Sequence, residues 1–444
     1  MPTPTGRDPS RLRDVRSRGF AARADVEQVE RFLAANSAPL PVEAVPLLEC
    51  AGRVLAEEVC AAVSVPSFAR SAMDGFALRG EDTFGASDYD PIQLKLLGQS
   101  LPGRPFGGRV GAGEAVRIMT GAPLPEGADA VAMAEVCEER AESVAVTEAV
   151  APQKNVGAIG EDIRAGETVL RAGRRLRAQD AGLLASIGVA RVACHRRPRV
   201  QLVITGDELL PPGALPSGSR IVDSNSVVLR ALIARDGGLV RDCAPLPDRR
   251  EVIRLALASS DADVILVSGG SSVGVEDHAP GLVAELGTLD FHGVAMRPSS
   301  PAGVGRIPRS KPASEARSEA QPSEGDRLVF LLPGNPVSCL CAYEFFAGPT
   351  IRALGGRSRA WPHRRVRLPL ARKLSSQIGR VDYVRVAIEA GHVTPLAVSG
   401  ASILSSTVRA AGCVIVARGR EGMAEGEEVE VLLYDDELAD AGAR

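Results

Sequence analysis

The run SGGSSVGVEDH at 268–278 concentrates residue types that could handle a phosphate. Gly269, Gly270 and Gly274 let backbone N–H groups approach an anion, and Ser271 and Ser272 add hydroxyl donors. Asp277 sets a carboxylate just beyond, where it could bind Mg2+ for phosphoryl chemistry. The same letters also fit a plain Gly/Ser loop with a helix-capping Asp, and spacing alone leaves both open. TGDELL at 205–210 presents Glu208 after an apolar run. In LPGNPVS (332–338), Pro333 and Pro336 stiffen a turn that offers Asn335 and the Gly334 backbone; the alternative is a connector capped by Ser338. The remaining carboxylates have ordinary readings as well. Asp74 in SAMDGFAL precedes a glycine, and Asp-Gly is a common turn pair. Asp162 in GEDIRAGE could close a turn. Asp248 in LPDRREVIRL, with Glu251 three residues on, and Asp223 in VDSNS both look like helix caps. No GK[ST] follows any of the glycine runs, so there is no P-loop, and GVG at 303–305 is too little for a dinucleotide fingerprint.

Three of these loops follow runs that read as buried strands: RVQLVI, DVILV and RLVFL. Between and after them come SNSVVLRALIARDGG, REVIRLALAS and VSCLCAYEFFAGPTIRAL, which have helical character. Strands alternating with helices predict a parallel sheet covered on both faces, with ligands outside the carboxyl ends of its strands. Earlier in the chain, DVEQVERFLAAN (25–36) reads as a helix, VPLLECAGRVLAEEVCA (45–61) as a second helical stretch, and AQDAGLLASIG as a short helix stopped by Gly188. Short runs from about 65 to 150 read as a small β domain, and alternating strands return after 363. The stretch 306–327 has almost no apolar content and reads as a polar loop.

The chain has 444 residues, room for about three domains. Its net charge of −3 and 3% aromatic content argue against nucleic acid as a partner. No apolar run reaches the roughly eighteen residues that cross a bilayer, so no membrane partner is expected. The eight cysteines form no CxxC pair and the five histidines are scattered, so buried reduced thiols of a cytoplasmic protein are expected rather than a zinc site. The Arg-rich N-terminus contains Asp8 and Asp14, has no apolar face, and reads as a disordered arm.

Taken in order, SAMDGFAL, RIMTGAPLPEGADAV, GEDIRAGE, TGDEL, SGGSSVGVEDH and LPGNPVS resemble the molybdopterin molybdenumtransferases, the MoeA-type enzymes related to the E domain of gephyrin, over about residues 25–435. The resemblance implies a multi-domain α/β plus β fold in an elongated homodimer. A discontinuous linker domain would take 25–64 and 151–195, an inserted β domain 65–150, a three-layer α/β domain like that of the molybdopterin adenylyltransferases 196–358, and a C-terminal β domain 359–437. The arm 1–24 and the loop 306–327 fall outside it. It implies that molybdate and adenylylated molybdopterin react with Mg2+ help, that AMP leaves, and that molybdenum is placed on the dithiolene. Molybdopterin adenylyltransferase and recipient molybdoenzymes would be partners.

By this resemblance the catalytic positions fall on Asp74, Thr120, Asp162, Glu208, Asp248 and Asp277, with Asp74 reaching the partner's cleft and Glu208 and Asp277 shared between Mg2+ and water activation. Substrate contacts would come from Gly269, Gly270, Ser271, Ser272, Gly274, Arg297, Pro298, Pro301, Pro333, Gly334, Asn335, Pro336 and Ser338. There are departures. Ser299 and Ser300 stand where the family has Gly-Lys, Gly293 where Lys is frequent, and Ala411 where Asn is frequent. Arg297 and Arg306 are the candidates to replace the lost cations. A non-catalytic pterin-binding scaffold and a tungstate-inserting enzyme are the readings to be distinguished from a molybdate insertase.

Overall fold

The computed structural model describes residues 23–241, 244–270, 277–309, 325–397 and 400–435. The chain forms two compact units: Glu43–Cys194, and the described residues up to Val42 together with those from His195 onward.

Within Glu43–Cys194, one core joins Val45, Cys50 and Leu55 to Leu170, Leu176, Leu184 and Cys194, so the two sides of the inserted segment fold together. The helix Ala178–Ser186 sits in this core, and Arg174 grips its Asp180 with two hydrogen bonds of 2.8 and 3.0 Å. The helical stretch expected at 45–61 is not formed. Val42–Pro46 is a strand, Leu47–Glu49 a single 3-10 turn, and Val59–Cys60 a strand. Gly52, at φ +80°, interrupts the segment, and bridges from Val54 to Arg175 and Leu55 to Cys194 pull it into extended pairing. Tertiary partners override the local helical pattern. The inserted part is a six-stranded sheet ordered Ala130–Met133, Gly75–Leu78, Glu114–Ile118, Ile92–Ser100, Ser143–Val146, Cys137–Glu139.

In the larger unit, a six-stranded sheet runs in the order Leu239–Arg241, Arg199–Ile204, Val264–Ser268, Arg327–Leu332, Gly303–Ile307, Thr288–His292. The first four strands are parallel and the last two join antiparallel, so the sheet is mixed rather than wholly parallel. The connection 293–302 is shorter than the dozen or so residues that a parallel crossover needs. The central strands are apolar on both faces. Val200, Leu202, Val264, Leu266, Leu328 and Phe330 face Leu229 and Ile233 of the helix Asn225–Arg235 and the helical stretch after Pro336. Val203, Ile265, Val267, Val329 and Leu331 face Ile253 and Leu257 of the helix Arg250–Ala258 and Leu282 and Val283 of the helix Ala279–Leu286. This is the three-layer α/β arrangement. The helix Val26–Ala35 packs into the same core through Val26, Val29 and Leu33.

The polar stretch is shorter than expected. Arg306 and Ile307 end one strand and Arg327 begins another; 310–324 lie outside the described residues, as do 1–22 of the arm. A second sheet, Met296–Arg297, Val381–Glu389, Gly412–Val416, Glu428–Leu433, Arg365–Pro369, makes the C-terminal β domain.

The stretch Pro336–Leu354 is helical throughout, with a π-turn at Tyr343–Ala347. Its Glu344 accepts from Arg235 at 2.6 and 2.9 Å and faces His363 Nε2 at 3.6 Å. Burial raises the Glu344 pKa, but the nearby His363 imidazole and the Arg235 hydrogen bonds outweigh it and bring the carboxyl down to about 2. Its folded pKa thus lies below its ordinary value of 4.5, so its stabilisation is present above that pH and is lost as pH falls toward 2. Glu344→Gln is expected to cost about 3 kcal/mol at neutral pH, because it leaves the Arg235 guanidinium beside a buried neutral amide. It should also flatten the acid-unfolding profile between those two pH values; urea titrations across that range measure both effects.

Candidate functional site

The carboxyl ends of three parallel strands carry the predicted loops. Gly269 and Gly270 follow Val264–Ser268 with φ of +97° and +53°. A methyl group on Gly269 would lie 2.2 Å from Thr205 O, so only glycine lets this backbone pass the neighbouring strand end. Beside Gly270 three side-chain oxygens converge. The position of a Cβ there lies 3.3 Å from Thr205 Oγ1, 3.9 Å from Asp248 Oδ1 and 4.0 Å from Asp277 Oδ1. Among the described residues, Asp248 Oδ1 and Thr205 Oγ1 are buried without a hydrogen-bond partner. Asp248 does not cap its helix. The N-cap is Arg249, and the Asp248 N–H instead donates to Asp207 Oδ1 at 3.2 Å. Glu208 is exposed and folds back over Gly206, with Oε2 2.7 Å from where a Cβ would stand.

Oxygen ligands with unsatisfied lone pairs suit a hard divalent cation such as Mg2+. No three His, Cys, Asp or Glu groups form a closed metal cluster among the described residues. A Mg2+ ion held here would therefore take its remaining ligands from water and substrate phosphates, as Mg2+ commonly does. Ser271, Ser272 and Gly274 lie outside the described residues.

The third loop joins the second directly. A Cβ on Gly334 would lie 3.7 Å from the Gly269 Cα, and Asn225 Nδ2 donates to both Ser268 Oγ and Gly334 O. Asn335 is the N-cap of the helix that starts at Pro336; Ser338 is inside that helix and not its cap. The Ser338 carbonyl accepts the Ser299 hydroxyl. Ser299 has φ +84°, so the backbone shape that glycine would take is kept, with the hydroxyl bond as compensation. The Ser300 hydroxyl is buried and has no partner among the described residues.

The candidate cations are committed. Arg306 makes two bonds of 3.0 Å to Asp290 and does not stand free for a substrate. Arg297 donates to Asp382 at 2.5 Å, and Arg380 lies 3.0 Å from the other Asp382 oxygen. One buried carboxylate thus answers two guanidinium groups, a trio with one positive charge in excess.

In the Glu43–Cys194 unit, Asp74 and Thr120 come together. The Asp74 carboxylate accepts the Thr120 N–H and hydroxyl, each at 2.7 Å. These two bonds hold its pKa below the usual carboxylate range. Gly75 is not needed for a turn. It begins a central strand, and a Cβ would lie 1.9 Å from Ala132 O. A cavity of about 240 Å3 lined by Asp74, Phe76, Arg117, Met119, Cys137 and Glu139 opens beside it. Asp162 is exposed on a separate bend, with its N–H given to Val65 O.

Sequence reasoning missed Thr205 and Asn225. Thr205 is a common residue type at a strand end and gives no signal in a single sequence. Asn225 sits in VDSNS, where the cap reading was correct for Asp223, whose Oδ1 accepts the Ser226 N–H at 2.9 Å.

Three family models match in register: the MoeA N-terminal region (domain I and II) at 24–188, the "Probable molybdopterin binding domain" at 201–353, and the MoeA C-terminal region (domain IV) at 367–434. The molybdopterin molybdenumtransferase of Haemophilus influenzae is 32% identical over 88% of this chain and 94% of that protein. Molybdopterin molybdenumtransferase 2 of Mycobacterium tuberculosis is 35% identical over 78% of this chain and 83% of its own. A solved molybdopterin biosynthesis MoeA protein of Pyrococcus horikoshii is 30% identical, covers 93% of this chain and 100% of its own, and superposes with a TM-score of 0.77. The chain belongs to the MoeA family of molybdopterin molybdenumtransferases, transferases of molybdenum cofactor biosynthesis.

Replacing Thr120 by Val removes one of the two bonds to the charged form of Asp74. Its carboxyl midpoint, followed by carbonyl NMR, should rise but stay below the ordinary value, because the backbone N–H remains. An unmoved midpoint would contradict the pairing.

Proposed function

We propose that this protein inserts molybdenum from molybdate into adenylylated molybdopterin and releases AMP, with Mg2+ as the cofactor. The observation that carries this reading is the convergence of Thr205, Asp248 and Asp277 beside Gly270, with two of their oxygens left unpartnered. Bound there, Mg2+ would neutralise phosphoanhydride oxygens and stabilise the leaving AMP. Asp248 and Asp277 would hold the ion, and the Gly269–Gly270 backbone would let the phosphates come close. Glu208, exposed on the next strand end, takes the proton of the attacking oxygen nucleophile as the phosphoanhydride P–O bond breaks. Asp74 suits a different task. A carboxylate with a depressed pKa is a weak base, so the Asp74–Thr120 pair orients substrate rather than removing a proton.

The surplus charge of Arg297 and Arg380 over Asp382 attracts molybdate and the terminal phosphate, a role the resemblance gives to the lysine replaced by Ser300. In this reading the protein is a cytoplasmic homodimer, and Asp74, with exposed Met73 and Met119 near it, serves the cleft of a second copy. Among the described residues no helix is long and apolar enough to cross a membrane.

The test is AMP release from adenylylated molybdopterin with Mg2+, with and without molybdate. Molybdate-dependent release is expected from the wild type. Asp277→Ala should lower it by about a hundredfold or more, the scale of losing a principal group that stabilises transition-state charge. Pterin binding without release from either protein would favour the scaffold reading.

A further inference from the structure

The DSN run at 223–225 caps a helix and has hydrogen-bonding capacity left over. Asp223 is 3% exposed; one of its oxygens caps Ser226, and Oδ2 has no partner among the described residues. Asn225 Nδ2 uses both its hydrogens, on Ser268 Oγ at 2.9 Å and on Gly334 O at 2.8 Å. A carbonyl only accepts, so the nitrogen must be the atom facing Gly334, and the amide cannot be turned over. The orientation of Oδ1 is then fixed as well, and this oxygen is buried without a partner among the described residues. One side chain therefore ties the loop after Ser268 to the loop after Leu332, while two acceptor oxygens within three residues of chain remain unanswered.

We propose that Asn225 is a substrate-positioning residue. Its N–H groups clamp the two loops, and its Oδ1 accepts hydrogen bonds from N–H or O–H donors of the bound substrate. This rests on the function proposed above. Lone acceptors repel phosphate and molybdate, so the part of the substrate they take is a donor-bearing one. Adenylylated molybdopterin has such donors at both ends, on the pterin ring and on the adenylate. The clamp also explains how a side chain outside the glycine loops can set the spacing between them.

Two variants separate the roles. Asn225→Ala removes clamp and acceptor; Asn225→Asp removes the N–H groups but keeps an acceptor oxygen. In substrate-free protein, both should speed hydrogen exchange in peptides covering 333–342 by about fivefold or more, given that such loops open locally. Unchanged exchange overturns the clamp. Affinities for molybdopterin and for AMP are then measured separately by calorimetry. Asn225→Ala should weaken one of them by about tenfold, the loss of one good hydrogen bond. Asn225→Asp should keep more of that affinity than Asn225→Ala. A loss confined to molybdopterin places the donor on the pterin, and a loss confined to AMP places it on the adenylate. Equal affinity of wild type and Asn225→Ala for both ligands, or equal loss in the two variants, overturns the acceptor role. A wild type that binds neither ligand overturns the functional reading and the acceptor role with it, and the exchange result still decides the clamp.

Discussion

The approach of Gly269 to Thr205 is the constraint on which the site depends. With no side chain on Gly269, the first loop residue after one strand lies against the end of its parallel neighbour, where the Thr205 N–H donates to Ser268 O at 2.9 Å. That contact sets Gly270 among Thr205, Asp248 and Asp277. It also brings Gly269 against Gly334, so three strand ends meet in one place. The strands themselves are apolar on both faces and buried between helices. Polar chemistry is left to their ends, as an open parallel arrangement dictates.

The buried carboxylates of this protein sort by their partners. Asp180 is answered by Arg174, Asp263 by Arg196 and Arg309, Asp236 by Arg352 and Arg235, and Asp382 by Arg297. These pairs have structural partners and hold elements together. Asp248 Oδ1 and Asp223 Oδ2 have none among the described residues. A buried acceptor left unmatched costs about 1–3 kcal/mol, so it persists where a ligand supplies the missing partner. Asp382 Oδ1 also lacks a hydrogen bond, but Arg380 faces it as an ion pair at 3.0 Å, whereas no cation is paired with Asp248 or Asp223 among the described residues.

Much of this was legible in the sequence, and the failures have physical causes. VILVS and RLVFLL read as buried strands because strands covered on both faces are continuous apolar runs, and Gly188 stops its helix as expected at φ +79°. The segment 45–61 failed because its extended partners, Arg175 and Cys194, are more than a hundred residues away in the chain. Gly75 was read as a turn residue, whereas its role is to admit the Ala132 carbonyl, a cross-strand contact that local spacing cannot reveal. Arg306 was read as a free cation because Asp290, its partner, becomes visible only once two strands pair. Of the described free thiols, Cys50, Cys194, Cys339, Cys341 and Cys413 are buried as expected, whereas Cys60 is exposed and Cys137 half-buried. The site motifs were legible as loops at strand ends. Which of their oxygens stayed unpaired was not, because that depends on every neighbour at once.

The central claim is that the oxygens around Gly270 hold a divalent cation. Mn2+ binding in place of Mg2+, followed by electron paramagnetic resonance in the presence of AMP, tests it most directly. One Mn2+ should bind per wild-type chain. In Asp248→Asn the affinity should fall by about tenfold or more while urea stability is kept, since the lost oxygen has charge but no structural partner. Equal Mn2+ affinity in the two proteins would contradict the account and separate these carboxylates from the metal.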